Sequence, residues 1–367
     1  MFRDAAPAAL TALPRLRATL FDLARPVEPR VVGLAQAIGA RAAENVVTEG
    51  PIPPCSTALI GGFAVASVET VGASPYTPAI PARMVRIAAG APLPTGCDAV
   101  VPADAASDDL GLPAVQQSVA PGENLRRTGE DLAAGTCLVT AGEVVAPHLA
   151  PVLAAIGRRE IAIRRPRVAI RHRAETSAVA AAAGLAALVA IEGETTVGDL
   201  DRPIEAADLV LLVGGPEIGT ADPALGRLAA CGRRLGHGVA VSGAETLAWG
   251  DVAARPALVL PQRPEAILVA WVSLIEPLLA SLTGATPTMP ETRPLARKLV
   301  SRVGMSEIAL LARDGATWMP LATGDLPWSA LARADAVVEL PPESEGLAEG
   351  APLAARPLLV LRRRSTP

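Results

Sequence analysis

Between residues 165 and 285, short apolar runs alternate with stretches of helical pattern. The runs are Val168–Ile170, Leu209–Val213, Val239–Val241 and Leu258–Leu260. An alternation of strand and helix of this kind predicts a parallel β-sheet with helices on both faces. Ligands of such sheets bind beyond the carboxyl ends of the strands. We therefore predict an α/β domain over these residues, with a binding site at that edge of the sheet.

The residues before this domain have two other patterns. Residues 1–50 are predicted to be mostly helical, with Val31–Val46 forming one amphipathic helix. Residues 51–137 contain short apolar runs separated by Pro/Gly turns, and this pattern indicates a small β domain. A further helix is predicted over Pro147–Ile156, ending at Gly157.

The residues after position 285 return to short strands, which we predict at Ala336–Leu340 and Pro357–Leu361. A chain of 367 residues is long enough for several domains, each with its own core. Aromatic residues make up only 2% of the chain, so the core must be built from Ala, Val, Leu and Ile. The sequence therefore predicts an α/β multidomain protein.

Charge and composition argue against several classes of protein. The net charge of −4, with basic residues spread along the chain, disfavours nucleic acid as a partner. The longest apolar run, Ala266–Leu282, contains Glu276, which favours a buried helix over a membrane span. A disulfide framework or zinc site is disfavoured because no CxxC pair occurs among Cys55, Cys97, Cys137 and Cys231. With no signal-peptide pattern at its start, the chain is expected to be soluble and cytoplasmic, without a membrane partner.

The segment Gly122–Leu132, with the sequence GENLRRTGEDL, is the first candidate site. Glycines bracket Arg126 and Arg127, and Glu130 and Asp131 follow. Such a loop can hold its backbone close to an anion while the guanidinium groups bind its oxygens and the carboxylates orient a metal or a proton. The same charges also fit a solvated surface turn in which they pair among themselves. The residues alone leave both interpretations open.

The segment Leu209–Gly219 is the second candidate site, with Asp222 three residues after it. A buried strand leads into Gly214 and Gly215, and the helix N-terminus expected after them favours anions. This pattern predicts a cradle for a phosphate or a pterin. An ordinary strand-to-helix turn fits the same residues, because short glycine motifs recur by chance.

Four segments, taken in order along the chain, resemble the molybdopterin molybdotransferase family of the MoeA type, which includes the E domain of gephyrin. Arg86–Val101 is similar to the family pattern RIMTGAPLPEGADAVV, and Gly122–Leu132 is similar to GENIRRRGEDI. Arg165–Ile170 matches the family strand RPRVAI letter for letter. Ala332–Pro352 resembles the pattern of the family's last β domain. The similarity extends over almost the whole chain.

The resemblance implies a protein of four domains that forms a homodimer. The implied domains are an N-terminal linker-type domain (residues 1–50 and 138–164), an inserted β domain (51–137), a MoCF-type three-layer α/β domain (165–285) and a C-terminal β domain (286–367). In the family, the MoCF domain and a β domain of the second copy enclose a cleft. Adenylylated molybdopterin is hydrolysed there with magnesium, and molybdate is inserted into the dithiolene. A pterin ligand and, as a protein partner, a molybdoenzyme or another cofactor-assembly protein are therefore implied.

The resemblance also assigns roles to residues of this chain. The implied catalytic carboxylates are Asp131, Asp222 and Glu175. The implied contacts to molybdopterin or adenylylated molybdopterin are Arg126, Arg127, Gly214, Gly215, Gly219 and Arg263. No metal ligands are assigned, because the carboxylates expected to hold magnesium are replaced.

The sequence departs from the family where charged groups are expected. The family segment FDNSAMDGYAV is replaced by Cys55–Val65, in which Ser56 and Gly61 stand at the positions of the aspartates. The family segment STGDEL, which follows the RPRVAI strand, keeps an acid at its Asp position as Glu175 but has Thr176 at its Glu position. Too few hard oxygen ligands are left for a dedicated magnesium site.

Two further departures concern positive charge. KPGKP is replaced by Ser242–Thr246, which has no lysine, and GLPGNPVSA is replaced by Val259–Ile267, where Arg263 supplies one positive charge. Lys298 lies outside the predicted sheet domain, so no nearby lysine is expected to stand in. Losing one positioned anion-stabilising group costs about 10²–10³ in rate.

Two functions therefore stay open. The first is molybdate insertion in a pocket that has been rebuilt around Arg173, Glu175, Asp222, Glu245 and Arg263. The second is a catalytically inactive carrier or scaffold of the same fold, which binds the cofactor or a partner protein without turnover.

Overall fold

The structure, a computed structural model, describes residues 9–107, 112–214, 222–286 and 288–358. In chain order the α-helices are α1 (Leu13–Leu23), α2 (Leu34–Ala37), α3 (Ala150–Ala155), α4 (Thr176–Val189), α5 (Pro223–Cys231), α6 (Pro264–Ala270), α7 (Glu276–Thr283) and α8 (Trp328–Leu331). A π-helical turn over Trp271–Ile275 joins α6 to α7, and 3₁₀ turns occur at Ser67–Thr70, Ala103–Ala105 and Pro147–Leu149.

The strands of the first half of the chain are β1 (Arg30–Gly33), β2 (Arg41–Ala42), β3 (Val46–Val47), β4 (Thr57–Ala58), β5 (Gly62–Val65), β6 (Val85–Ile87), β7 (Ala99–Pro102), β8 (Ala106–Ser107), β9 (Ala114–Val115), β10 (Leu125–Arg126), β11 (Cys137–Val139), β12 (Glu160–Arg164) and β13 (Arg167–His172). Those of the second half are β14 (Glu194–Asp199), β15 (Leu209–Val213), β16 (Arg233–His237), β17 (Ala248–Val252), β18 (Arg255–Leu260), β19 (Glu291–Pro294), β20 (Leu299–Val300), β21 (Glu307–Asp314), β22 (Thr317–Thr323), β23 (Ala336–Leu340), β24 (Gly346–Leu347) and β25 (Pro352–Pro357).

The chain divides into two compact units. The first contains Met1–Glu44, Ala141–Pro147 and Glu160–Pro367, and the second contains Asn45–Thr140 and His148–Arg159. The fold is that of an α/β multidomain protein, as the sequence predicted. The finer division into four domains stays a prediction.

The larger unit is built around a six-stranded sheet with the strand order β14-β13-β15-β18-β17-β16. The strands β14, β13, β15 and β18 run parallel to one another, whereas β17 and β16 are antiparallel to their neighbours at one edge. The predicted strand at Val239–Val241 is wrong, because these residues form only isolated bridges, Val239 with Thr11 and Val241 with Ser306. Both valine side chains are buried, so their apolar pattern comes from core packing and not from a sheet ladder.

Helices cover both faces of this sheet, which makes the domain a three-layer sandwich. One core, shared with α1, α4, α6 and α7, takes the strand residues Ile170, Leu211 and Leu258. The opposite core, shared with α5, takes Leu212 and Val259, which alternate with them along the strands. The expected three-layer α/β domain with parallel strands is therefore confirmed.

The apolar run at Ala266–Leu282 lies in this sandwich as a buried helix, as predicted. In the described part of the chain, Pro264–Thr283 is the one helical stretch with the length and composition to cross a membrane, and 72% of its most apolar window is buried inside the molecule. The stretch packs in the same core as the sheet, so its hydropathy is explained by that packing.

The predicted helix over Val31–Val46 is wrong. Arg30–Gly33 is a strand that pairs with Glu160–Arg164, and only Leu34–Ala37 is helical before Gly39, which has φ +82°. Pairing with a strand from far along the chain satisfies backbone groups that a helix would satisfy locally. The predicted helix over Pro147–Ile156 is present in shorter form, as a 3₁₀ turn followed by α3.

The smaller unit contains short strands with small apolar cores, as predicted for residues 51–137. Its central sheet has the order β6-β5-β7, and the pairs β4–β10, β3–β11 and β8–β9 are two-stranded. Its two clusters of buried side chains centre on Val100 and Val101, which point to opposite sides of β7.

The C-terminal residues of the larger unit form a five-stranded sheet with the order β19-β25-β23-β21-β22 and a core around Trp318. The strand predicted at Ala336–Leu340 is confirmed as β23. The strand predicted at Pro357–Leu361 begins earlier, because β25 runs over Pro352–Pro357, and residues 359–361 lie outside the described residues.

Candidate functional site

The turn after β15 lies at the carboxyl edge of the parallel strands. Gly214 has φ +122°, and a Cβ atom at this position would lie 2.5 Å from Cδ of Arg173. Both the backbone conformation and the close approach of Arg173 require a residue without a side chain. The other two glycines predicted to bind ligand, Gly215 and Gly219, lie outside the described residues.

The residues after β13 bring two charged groups to this edge. Arg173 forms an ion pair with Glu175, with 2.5 Å between Nη2 and Oε1. The side chains of both residues are partly exposed, at 34% and 47%. Glu175 is the residue before α4, but its side chain does not cap that helix. A partly exposed ion pair of this kind is weak.

Asp222 is the N-cap residue of α5. One carboxylate oxygen, Oδ1, accepts a hydrogen bond of 2.6 Å from the backbone N–H of Ala224, and the residue is only 6% exposed. Burial raises the pKa of the Asp222 carboxyl, while the hydrogen bond from Ala224 and the charge of Arg173 act in the opposite direction. Glu175, Gly214 and Asp222 are thus placed at the same edge of the sheet, and Asp222 has a structural role of its own there.

Arg263 lines a separate cavity of about 180 Å³ at the end of β18. Its guanidinium donates a hydrogen bond to the carbonyl oxygen of Gly243 (3.3 Å) and pairs with Glu265 (3.3 Å). The described residues that line this cavity include none of the three residues Glu175, Gly214 and Asp222. The residues Ser242, Gly243 and Glu245, which replace the family's KPGKP segment, form part of its wall.

A buried carboxylate closes this cavity from the side of the C-terminal sheet. Glu307 is 3% exposed and accepts hydrogen bonds from the hydroxyl groups of Ser242 (3.2 Å) and Ser301 (3.0 Å) and from the backbone N–H of Arg302 (2.9 Å). The cavity as a whole is lined by four carboxylates, Glu245, Glu265, Glu307 and Asp325, and by two guanidinium groups, Arg263 and Arg302. This lining disfavours an oxyanion.

Sequence reasoning did not identify Glu307 or Asp325. Glu307 begins the apolar strand β21 and Asp325 follows β22, and neither position belongs to a pattern that marks a ligand site. Their convergence with Ser242 depends on how the C-terminal strands pack, which no local pattern records. A buried glutamate can be recognised only once its partners are known.

The loop Gly122–Leu132 belongs to the smaller unit. Arg126 pairs with Asp131 at 3.3 Å, with both side chains almost half exposed. Glu130 accepts a 2.6 Å hydrogen bond from the backbone N–H of Arg127. The charges of this loop therefore pair among themselves, which is the geometry of the surface-turn interpretation, and the ligand-binding roles of Arg126, Arg127 and Asp131 stay predictions. The loop runs beside the segment that departs from the family, because β10 pairs with β4.

The described residues contain no group of three or more His, Cys, Asp or Glu side chains gathered so that they could hold a metal ion. The donor set in the described part of this single chain therefore does not fit a magnesium site. The four cysteines are free thiols, two exposed and two partly buried.

The chain is similar to proteins of molybdopterin biosynthesis over most of its length. A family model described as the MoeA N-terminal region (domain I and II) matches residues 9–157. Molybdopterin molybdenumtransferase 2 of Mycobacterium tuberculosis is 28% identical over 389 residues, which cover 90% of this chain and 96% of that protein. Molybdopterin molybdenumtransferase 1 of the same organism is 25% identical over 89% of this chain and 93% of its own length.

Solved structures share the fold. Two crystal structures of the molybdopterin biosynthesis MoeA protein from Pyrococcus horikoshii align with TM-scores of 0.72 and 0.67. They are 20% and 21% identical in sequence to this chain, and each alignment covers 95% of it and 99% or 100% of the other chain. At this level of identity the similarity concerns the fold.

Proposed function

The chain belongs to the MoeA family, and we propose that it acts in molybdenum cofactor biosynthesis as a molybdotransferase-like protein that binds molybdopterin or adenylylated molybdopterin. Its curated relatives, which it matches over nearly their whole length, are molybdopterin molybdenumtransferases. The observation that supports pterin binding best is the turn at Gly214, which places a tight backbone approach and Arg173 at the carboxyl edge of the parallel sheet.

The residues of this edge have distinct proposed roles. Arg173 would exchange Glu175 for an anionic group of the ligand, since a guanidinium binds phosphate-type oxygens in a planar, two-pronged geometry. Asp222, whose pKa is raised by burial, would hold the start of α5 in place and offer its second carboxylate oxygen to a polar ligand group. Glu175, once released from Arg173, would be the free carboxylate nearest to the ligand.

Transfer of molybdate is the first form of this proposal, and the full reaction tests it. The purified protein would be incubated with adenylylated molybdopterin, magnesium and molybdate. Release of AMP together with cofactor that activates an apo-molybdoenzyme is the expected result for a transferase. Arg173→Gln should lower the rate at least tenfold, by analogy with the loss of one anion-stabilising group, whereas the exposed Arg333 serves as a matched control in Arg333→Gln.

A second form, a carrier or scaffold that binds the pterin without turnover, is favoured by one specific observation. The cavity that contains the KPGKP replacement is lined by more carboxylates than cations, and both Arg263 and Arg173 are already paired. Calorimetry with molybdopterin would then give binding in the absence of AMP release. If the protein binds neither molybdopterin nor its adenylylated form, both forms of the proposal are wrong.

The family resemblance also leads us to propose a cytoplasmic homodimer that serves a molybdoenzyme or another cofactor-assembly protein. Light scattering coupled to size-exclusion chromatography measures the mass of the particle directly. A mass twice that of the 37.4 kDa chain is expected, and a monomer across the micromolar range would contradict the dimer.

A further inference from the structure

A second cavity adjoins the acidic one on the other side of Glu307. It has a volume of about 390 Å³ and shares Arg302, Glu307 and Thr323 with the first cavity. Its lining adds Arg297 and Lys298, so that three cations surround a single carboxylate. We call this cavity, defined by Arg297, Lys298 and Arg302, the basic groove.

The carboxylate in the basic groove forms no ion pair with the three cations. Oε1 of Glu307 accepts from Ser242, and Oε2 accepts from Ser301 and from the backbone N–H of Arg302, so neutral donors satisfy both oxygens. In the part of the chain that the structure describes, no carboxylate lies within 4.0 Å of the charged groups of Arg297, Lys298 or Arg302. By contrast, Arg17 pairs with Glu339 and Arg41 with Glu192.

The three cations belong to one short segment of the chain. They border or follow the short strand β20, and Ser301 between them is buried and bonded to Glu307. Arg297 donates a hydrogen bond from Nη2 to the carbonyl oxygen of Pro320, which orients its guanidinium while its other nitrogens stay available. Because Arg297 is positioned before a ligand arrives, it loses little side-chain freedom when the ligand binds.

We propose that the basic groove binds a tetrahedral oxyanion carrying two or more negative charges. On the proposed function, on which this inference rests, the oxyanion is a phosphate group of the pterin ligand or molybdate itself. The structure therefore places Lys298 in a cavity that shares Glu307 with the cavity lined by Ser242, in the segment that lacks the family's lysines. Lys298 lies across Glu307 from Ser242, and two guanidinium groups accompany it.

The chain offers an unusually direct test, because Lys298 is its only lysine. Acetylation of its amine by an amine-reactive reagent can be followed by mass spectrometry on the full-length protein, with the α-amino group as an internal reference. Phosphate, pyrophosphate, AMP and molybdate would be compared with chloride at equal ionic strength. We expect at least one of these oxyanions to slow acetylation of Lys298 several-fold without slowing that of the α-amino group. Equal rates in all the anions would overturn the proposal.

Calorimetry with variants provides the second test. Lys298→Gln and Arg302→Gln should each weaken binding of the protecting anion roughly three- to fivefold, as expected for exposed charges, and the double variant should weaken it further. Lys298→Arg should bind like the parent protein, and so should Arg333→Gln, which removes an exposed arginine outside the groove. If Arg333→Gln weakens binding as much as Lys298→Gln does, the attraction is general and the groove is not a site.

The simple anions separate this inference from the proposed function. Anion binding that depends on Lys298, in a protein that binds no pterin, supports the groove and removes the pterin proposal. Pterin binding that is unchanged in Lys298→Gln and Arg302→Gln, with no protection of Lys298 by any anion, removes the groove and leaves the pterin proposal intact. Protection by AMP and pyrophosphate assigns the groove to phosphate, and protection by molybdate alone assigns it to the inserted oxyanion.

Discussion

The turn after β15 and the cavity at the end of β18 lie at the same edge of the sheet, and the backbone N–H of Gly214 donates to the carbonyl oxygen of Leu260 between them (3.1 Å). The turn is organised by its backbone, through the φ of +122° at Gly214 and the helix cap at Asp222. The cavity is organised by side chains, and above all by the hydrogen bonds of one buried carboxylate, Glu307.

This difference explains which residues of the family pattern this chain retains. Gly214 and Asp222 are both present, and each has a structural role that accounts for it without any chemistry. The lysines of the KPGKP segment are absent, and Ser242 and Glu245 stand in their region. Retention of a glycine and a helix cap therefore indicates a retained turn, and does not by itself indicate a retained reaction.

The largest loss of stability is expected at Glu307, because the hydrogen bonds of this single side chain hold the cavity together. Glu307→Ala removes the acceptor of three hydrogen bonds and leaves two hydroxyl groups and one N–H without their partner. Since unsatisfied buried groups cost about 1–3 kcal/mol each and relax in part, we expect a loss of about 3 kcal/mol in the free energy of unfolding. Urea denaturation measures this loss.

Glu265→Ala is the control for Glu307, because Glu265 lines the same cavity and, among the described residues, its side chain pairs with Arg263 alone. Its loss should change stability by less than about 1 kcal/mol. Equal losses in the two variants would show that the cavity depends on its total charge and not on the bonding of one carboxylate.

Gly214→Ala tests whether the turn after β15 depends on the backbone conformation of Gly214. The new Cβ would adopt a strained conformation and meet the side chain of Arg173, so we expect a loss of about 2 kcal/mol. Gly226→Ala is the matched control, since Gly226 is an exposed residue of α5 with nothing within 4 Å of its Cβ position. That variant should be neutral or slightly stabilising. A tolerated Gly214→Ala would mean that the turn does not need its glycine.

The parts of the fold that the sequence predicted correctly are those with a local cause. Leu209–Val213 and Leu258–Leu260 are apolar because both faces of their strands are covered, and such runs are recognisable in the sequence. Val239–Val241 has the same composition but is buried without a ladder, so the pattern alone could not separate the two cases. The antiparallel strands β16 and β17 escaped prediction because they contain arginine, aspartate and glycine.

The same distinction applies to the candidate site. The sequence predicted a helix N-terminus after Leu209–Gly219, and the structure shows that Asp222 caps the helix α5 that begins there. Neither the pairing of Arg30–Gly33 with Glu160–Arg164 nor the approach of Lys298 to Glu307 follows from neighbouring residues. Both arise when distant segments pack, and a single sequence does not record which segments meet.

Asp222 allows the roles of hydrogen bond and charge to be separated. Asp222→Ala removes the cap of α5 and should lower stability by about 1 kcal/mol at low pH, where the carboxyl of the parent protein is neutral. Asp222→Asn keeps an oxygen acceptor but removes the buried charge.

The pH dependence of Asp222→Asn has a definite sign. Burial raises the folded-state pKa of Asp222 above its unfolded value, so its contribution is fully present below the unfolded pKa and is lost as pH rises through the folded pKa. Asp222→Asn should therefore gain stability relative to the parent protein as the pH rises from about 3 to 7. Urea denaturation across this range measures the difference, and a relative loss at neutral pH would mean that the carboxylate is stabilised by its charge.

The smallest loss of stability is expected at Arg263. A substitution there tests directly whether the charges in the cavity can change without loss of the fold. Its side chain is 60% exposed, its bond to Gly243 is long at 3.3 Å, and its pair with Glu265 is a surface pair. Arg263→Gln should change the free energy of unfolding by less than about 0.5 kcal/mol. Thermal and urea unfolding beside Arg333→Gln would measure this difference. A loss above about 1 kcal/mol would make Arg263 a structural residue, and the cavity would then be as constrained as the turn at Gly214. If the free energy of unfolding is unchanged, the fold does not depend on the residue at position 263. Only ligand binding would then limit which residue can stand there, and a family could keep its fold while the charged residues of this cavity change.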